Sequence, residues 1–275
     1  MNMITTVEMV MPDKAKEYLA TMGKNRPLSS RDVDKWCRII RNGDFKTTHQ
    51  GIAFNARGEL IDGQHRLTAC VLTNIPITVC VTRGLEDDTM TAIDIGKTRS
   101  IRDVISLTNM GDNVMWKNNS AIGMVRGIIV YGFNQNYRVT PSDIERVGTA
   151  YAKECEIVYR AAITKKRNKP TKVMYSAALA ALMCGEQESD IHEFFDAFCY
   201  YEASGNHNNQ MAFSLSKFVQ DSLVKHTKIK STHLYNLTQN AIWHFCHNTK
   251  SSRLTETKEP RYDVKQMLEK VLKGE

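Results

Sequence analysis

The fold of this chain is constrained most by residues 52–82, in which two strands, a helix and a third strand follow one another closely. Residues 52–55 and 59–61 are short apolar runs on either side of a turn, which is the pattern of a β-hairpin. Apolar residues then recur at helical spacing up to about Thr73, and residues 77–81 predict a further strand. A helix is therefore expected to begin directly at the end of a strand.

The start of this helix carries the sequence Asp62-Gly63-Gln64-His65-Arg66. A helix N-terminus has unpaired backbone N–H groups and the positive end of the dipole, so it attracts anions and phosphate above all. Gly63 lets a ligand approach the backbone, Arg66 offers a charged planar fork, and His65 offers a titratable donor. Asp62 either caps the helix or acts on a metal or a proton. In the simpler alternative Asp62 only caps and the other two are solvated, but the surrounding strands favour a functional site.

At these residues the chain resembles the ParB/sulfiredoxin fold. Residues 63–69 lie over the Gly-Glu-Arg-Arg-x-Arg-Ala box of ParB domains. Residues 62–66 are similar to the Asp-Gly-His-His-Arg form of a serine kinase with the same fold. The resemblance covers residues 10–104, and it implies a small ParB/sulfiredoxin-like α/β domain. Stand-alone chains of this kind with a helical tail also resemble bacteriophage proteins, which implies the cytoplasm of a bacterial host as the location.

The resemblance also implies which residues form the site. The implied cofactors are Mg²⁺ and a nucleoside triphosphate, and Asp94 is the implied metal ligand. The implied catalytic residues are Asp62, His65 and Asp94. The implied phosphate- or nucleotide-binding residues are Arg26, Gly63, Gln64, Arg66, Lys97, Thr98 and Arg99. Without the resemblance, the pattern of residues 94–99 is also typical of a turn that caps the next helix. Arg26 is then equally typical of a solvated residue in a loop.

The second half of the chain has a different pattern. Residues 109–113 predict a junction, and helical spacing predominates after it. Thr140 is a candidate cap for a helix at 141–163 that begins with a proline. We therefore predict an α+β protein with a ParB/sulfiredoxin-like domain at 1–110 and an all-α helical domain at 111–275.

The composition is typical of a cytoplasmic protein with an anionic partner. The 275 residues are 42% hydrophobic, enough for one large or two small domains. The net charge of +7 favours a nucleotide or DNA as partner, although an ordinary protein with surplus lysine has the same excess. The seven cysteines show no Cys-x-x-Cys spacing and are expected to be reduced core residues. Neither a signal peptide nor a bilayer-spanning apolar run is visible, so no membrane partner is expected.

A basic run in the second half is a further candidate for contact with nucleic acid. It consists of Lys165, Lys166, Arg167 and Lys169, which can form a patch for the phosphate backbone. Charge runs between helices are more often solvated faces, and both interpretations stay open at this point. The helical domain is also a candidate surface for a protein partner.

Two hypotheses about function follow from these residues. In the first, the chain is a DNA-associated nucleotide hydrolase, phosphotransferase or nuclease, because such chemistry needs mainly positioning and charge neutralisation. In the second, the same pocket holds nucleotide or DNA phosphate without turnover, and the helical half contacts DNA or a protein. A third possibility is that the motif is inactive and the chain acts on host machinery through another surface.

Overall fold

A computed structural model of the protein describes residues 3–23, 27–86, 100–105, 108–203, 205, 207–251 and 253–274. The chain divides into two compact units, Met1–Thr98 and Arg99–Glu275. The first contains a four-stranded sheet with helices and the second is helical, so the expected α+β class is confirmed. The predicted junction falls inside the second unit, where Asn109–Asp112 is a 3₁₀-helix. In the described ranges, no helix combines the length and the apolarity that a bilayer crossing requires.

The first unit is built on a mixed sheet of four strands with three helices. Its described elements are β1 (Ile4–Val10), α1 (Pro12–Ala20), α2 (Ser30–Arg41), β2 (Ile52–Asn55), β3 (Leu60–Asp62), α3 (Gln64–Thr73) and β4 (Ile77–Leu85). The strand order is β1-β4-β2-β3. β1 is antiparallel to β4, β4 is parallel to β2, and β2 is antiparallel to β3.

The core of the first unit lies between one face of the sheet and its helices. Phe54 from β2 and Leu60 from β3 are buried there together with Leu67 from α3. α1 and α2 both pack against α3, which places α3 at the centre of the helical layer. Asn74 ends α3 in the left-handed conformation, as a C-terminal cap residue commonly does.

The second unit is a helical assembly, and its described buried apolar residues form one cluster. Its helices are α4 (Ile101–Ile105), α5 (Asn119–Gly132), α6 (Pro141–Ala150), α7 (Ala152–Val158), α8 (Lys172–Met183), α9 (Glu188–Tyr200), α10 (Gln210–Val224), α11 (Ser231–Cys246) and α12 (Lys265–Lys273). A second 3₁₀-helix spans Val114–Lys117, and a π-helical turn spans Tyr159–Ile163. Phe194, Phe195 and Phe198 of α9 are fully buried in this core.

The start of α6 has the predicted cap. The Oγ1 atom of Thr140 accepts from the backbone N–H of Asp143 at 3.2 Å, and the Asp143 carboxylate accepts from the Thr140 N–H at 2.7 Å. This is a complete capping box. The single helix predicted for 141–163 is wrong, because Tyr151 leaves the helical conformation at φ −118° and ψ 39° and separates α6 from α7.

Candidate functional site

The turn from β3 into α3 depends on a glycine. Gly63 is the N-cap of α3 and has a φ of 104°, which is rarely accessible to residues with a Cβ atom. A Cβ atom there would also lie 2.9 Å from Cγ1 of the buried Ile52. Gly63 therefore allows the helix to start directly against β2.

Asp62 and Arg66 form an ion pair across the first turn of α3. Nη2 of Arg66 lies 3.0 Å from Oδ2 of Asp62, and Nη1 donates to the backbone carbonyl of Gln50 at 2.9 Å. The other carboxylate oxygen of Asp62 accepts from the backbone N–H of Gly63 at 2.7 Å. The Arg66 side chain is 13% exposed and the Asp62 side chain 28%. Two fixed contacts on a largely buried guanidinium hold Arg66 in one position.

An aromatic side chain from α2 lies beside this pair. Cζ of Arg66 is 5.8 Å from the ring centre of Trp36, within the range of a cation–π contact. Trp36 itself packs against Phe45 with the ring centres 5.9 Å apart. Trp36 thus offers an aromatic surface next to the guanidinium.

His65 is buried and its ring connects α3 to the start of α2. Its Nε2 atom accepts from the backbone N–H of Ser29 at 3.1 Å, and the side chain is only 7% exposed. Ser29 is also the N-cap of α2, since its hydroxyl accepts from the Asp32 N–H at 3.3 Å. Because Nε2 acts as an acceptor, the neutral ring carries its proton on Nδ1.

These residues line a cavity of about 500 Å³. Gly51, which lines the cavity, lies close against β4, since a Cβ atom on Gly51 would lie 1.7 Å from the carbonyl oxygen of Cys80. The lining residues come from α2, from the segment before and within β2, from the β3–α3 turn and from β4. They are Trp36, His49, Gln50, Gly51, Ile52, Ala53, Asp62, Gly63, His65, Arg66, Thr82 and Leu85.

Four of the predicted site residues meet at this cavity, namely Asp62, Gly63, His65 and Arg66. Gln64 is buried at 3% exposure and does not line the cavity, so its predicted contact with phosphate is not part of this geometry. The other predicted residues lie outside the described ranges. They are Arg26, Asp94, Lys97, Thr98 and Arg99.

Several residues that line the cavity lie outside the motif at residues 62–66 and were not predicted from the sequence. Trp36 and Gln50 contact Arg66 from elements that precede the motif, and Thr82 enters from β4. Only Gly51 had a local signal, a glycine directly before a strand, which often marks a close backbone approach. The positions of Trp36, Gln50 and Thr82 depend on the tertiary arrangement of α2, of the segment before β2 and of β4.

The charged side chains that the structure describes at the cavity favour the binding of an anion over that of a bare metal ion. Asp62 is the one carboxylate among the described lining residues, and its charge is balanced by Arg66. Divalent cations usually need several oxygen ligands, so Asp62 alone does not make a magnesium site. The positive potential of the α3 N-terminus remains after the two side-chain charges cancel. A phosphate group, alone or carrying its own Mg²⁺, fits this balance.

The predicted nucleic-acid run of the second unit lies between the π-helical turn and α8. Lys165 forms an ion pair with Asp196 of α9, whereas Lys166, Arg167 and Lys169 are exposed. The structure therefore shows one lysine engaged in an ion pair, and two lysines and one arginine in contact with solvent.

Three side chains of types that can ligate a metal lie close together in the second unit, and the sequence did not predict this group. Donor atoms of Glu186, Asp190 and Cys246 all lie within 4.8 Å of one another. The hydroxyl of Tyr262 donates to Glu186 at 2.8 Å, and burial raises the pKa of the Cys246 thiol. A protonated thiol and a hydrogen-bonded carboxylate explain this group without an ion.

Comparisons of the chain with protein-family models, with curated proteins and with solved structures returned no match.

Proposed function

We propose that the first unit binds the phosphate group of a nucleotide or a nucleic acid at the N-terminus of α3. The observation that carries this proposal is the position of Arg66, held by Asp62 and by the carbonyl of Gln50 on the wall of a 500 Å³ cavity. A guanidinium has five N–H donors, and these two contacts use two of them. Donors fixed beside a helix N-terminus suit phosphate oxygens.

The family resemblance supports the same proposal. The resemblance implies a ParB/sulfiredoxin-like unit, and the residues on which it rests follow the order β2, β3, Gly63, α3 and β4 in the first unit. In such a unit Arg26, Lys97, Thr98 and Arg99 would add phosphate contacts, and Asp94 would hold Mg²⁺ of a nucleoside triphosphate. The proposal therefore includes magnesium dependence of binding.

Among the two hypotheses for this site, the described contacts favour binding without turnover. A general base needs a lone pair directed at the substrate, but Nε2 of His65 already accepts from Ser29. Both carboxylate oxygens of Asp62 already accept hydrogen bonds as well. Hydrolysis, phosphoryl transfer or phosphodiester cleavage would accordingly depend on Asp94. The second candidate function is such an enzyme, with His65 and Asp62 positioning the phosphate.

Thermal unfolding with candidate ligands tests the proposal. The probes are inorganic phosphate, nucleoside di- and triphosphates and a short DNA duplex, each with and without Mg²⁺. A ligand at a hundred times its dissociation constant stabilises the protein by about 2.7 kcal/mol, which raises the melting temperature measurably. The expected result is a shift with at least one nucleotide or with DNA. If none of the probes shifts the transition of the first unit, the proposal is wrong.

Two arginine variants make the test specific. Arg66→Ala removes the donor in the cavity and is expected to abolish the ligand-induced shift. Arg57→Ala is the matched control, since Arg57 pairs with Glu59 at 2.8 Å on the surface and is 62% exposed. Equal loss of the shift in both variants would show that the ligand binds by general charge and not in the cavity. Consumption of the bound nucleotide or cleavage of the DNA would then identify an enzyme.

A further inference from the structure

The two edges of the sheet in the first unit are protected to different degrees. At the β3 edge, Met22 forms a parallel bridge with Leu60, whose N–H donates to the carbonyl of Thr21 at 3.2 Å. At the other edge, β1 pairs only with β4 in the part of the chain that the structure describes. Within that part of the chain, the outer side of β1 therefore presents unpaired backbone donors and acceptors over the length of the strand.

β1 has few of the features with which edge strands usually resist pairing. It runs for seven residues in unbroken register with β4, from Ile4 opposite Arg83 to Val10 opposite Ile77. It contains no proline, no lysine and no bulge, and its one charge is on Glu8. That carboxylate is already bound by Arg83 at 2.6 Å. A long and regular edge of this kind is a template for another strand.

The face of β1 that points away from the core is exposed, and apart from Thr5 its side chains are apolar. Side chains alternate along a strand, and Val10 on the core face is 1% exposed. On the opposite face Val7 is 66% and Met9 68% exposed. Met3 before the strand and Met11 after it are 63% and 52% exposed at the same alternation.

We propose that a second copy of this chain pairs its β1 antiparallel to this one, with the two-fold axis at Val7, to form a continuous eight-stranded sheet. In this register Val7 lies opposite Val7 of the second copy, and Thr5 lies opposite Met9. Extending the same register pairs Met3 with Met11. Every apolar side chain of the exposed face then has an uncharged neighbour, as favourable cross-strand pairs require.

Several registers place the exposed faces of the two β1 strands on the same side of the sheet, and the charge of Glu8 favours this one among them. With the axis at Val7, Glu8 lies opposite Thr6 of the second copy. With the axis at Glu8, two carboxylates would lie opposite each other, which is unfavourable. An axis at Thr6 would leave the end of the strand unpaired and shorten the ladder. The axis at Val7 is also the one that pairs all seven residues, so charge and length agree.

Molar mass measured by light scattering over a concentration series tests the pairing. The full chain is expected to be a dimer that dissociates on dilution. Val7→Lys places two lysines on the axis and is expected to give a monomer, whereas Val7→Thr, which keeps a β-branched residue, is expected to stay dimeric. Far-UV circular dichroism checks that each variant is folded. A monomeric wild-type protein, or a dimer that Val7→Lys leaves intact, overturns the proposal.

Paired charges test the register itself. The double variant Thr5→Lys with Met9→Glu places opposite charges across the interface, while Thr5→Glu with Met9→Glu places like charges at the same positions. Residues 5 and 9 of one chain are about 13 Å apart along the strand, so the difference reports on the partner. The like-charge variant is expected to raise the dissociation constant about tenfold over the opposite-charge variant. Equal dissociation constants would contradict the register. The nucleotide-binding result does not bear on this test, because none of the residues changed lines the cavity.

Discussion

Gly63→Ala is expected to destabilise the first unit strongly. Left-handed backbone costs a residue with a Cβ atom about 1–2 kcal/mol. The new methyl group would also lie 2.9 Å from Cγ1 of Ile52, which is 1% exposed within a central strand and has little freedom to move. Overpacking of this kind costs about 1–3 kcal/mol. The expected loss in the free energy of unfolding is therefore about 2–5 kcal/mol.

A matched glycine separates the two contributions. Gly58 lies in the preceding hairpin turn at a φ of 81°, and a Cβ atom there would have no heavy atom within 4 Å. Gly58→Ala therefore carries the backbone cost of about 1–2 kcal/mol without the contact. The difference between the two variants, about 1–3 kcal/mol, measures the close approach of α3 to β2.

Urea unfolding, monitored by hydrogen-exchange mass spectrometry, measures this difference in the free energy of unfolding between the two variants. Peptides that cover residues 52–73 report on the first unit separately from the helical unit, which matters because two units need not unfold together. The expected result is a lower unfolding midpoint for Gly63→Ala than for Gly58→Ala in these peptides. If the two variants unfold at the same urea concentration, the close packing of Gly63 on Ile52 does not restrict the helix start, and the reasoning is refuted.

Two further outcomes follow from the structure. The hydrogen bond from Arg83 lowers the pKa of Glu8 from about 4.5 to about 2, so its stabilisation is present above pH 4.5 and lost as the pH falls toward 2. Glu8→Gln is expected to flatten this part of the pH–stability curve measured by thermal unfolding, and an unchanged curve would contradict the role of the pair. Gly127→Ala would place a methyl group 2.1 Å from Oγ of Ser176, where α5 and α8 pack, and is expected to cost about 1–3 kcal/mol. Gly205→Ala, with open space around it, is the control in the same thermal measurement, and equal stability of the two variants would refute the contact.

Local signals were sufficient for most elements of the first unit. The signal for α2 at Ser30–Arg41 is local, because Ser29 caps the helix and its apolar residues recur on one face. The hairpin and the helix start at Gly63 were also visible, since glycine and alternating apolar residues specify them locally. The strand predicted for 77–81 continues to Leu85 in β4, because pairing with β1 and β2 overrides the polar residues at its end.

The candidate site could be predicted only in part. The contact between Asp62 and Arg66 follows from their spacing of four residues at a helix start, which the sequence contains. The carbonyl of Gln50 and the ring of Trp36 complete the environment of Arg66 from other elements, and nothing in the motif points to them. The bond from Ser29 to His65 likewise depends on how α2 packs on α3, and it changes the expected role of that histidine from donor to buried acceptor.

In the second unit the helices were visible but their interruptions were not. The capping box of Thr140 and Asp143 lies within four consecutive residues, so the cap was predictable. The π-helical turn at Tyr159–Ile163 contains no proline or glycine. Gly148 precedes the break at Tyr151 by three residues, but it is itself helical and buried within α6, so it does not mark the break. Both irregularities depend on how the chain packs against neighbouring helices, so the sequence of the segment alone does not predict them.

The most direct test of the central claim is the response of the backbone amides at the α3 N-terminus to a phosphate ligand. Amide chemical shifts of the ¹⁵N-labelled protein are recorded during titration with the nucleotide or DNA that stabilises it, in the presence of Mg²⁺. The account expects the largest changes at Gly63, His65 and Arg66, and expects them to disappear in Arg66→Ala. Saturable binding that shifts other amides and leaves these three unchanged would contradict it.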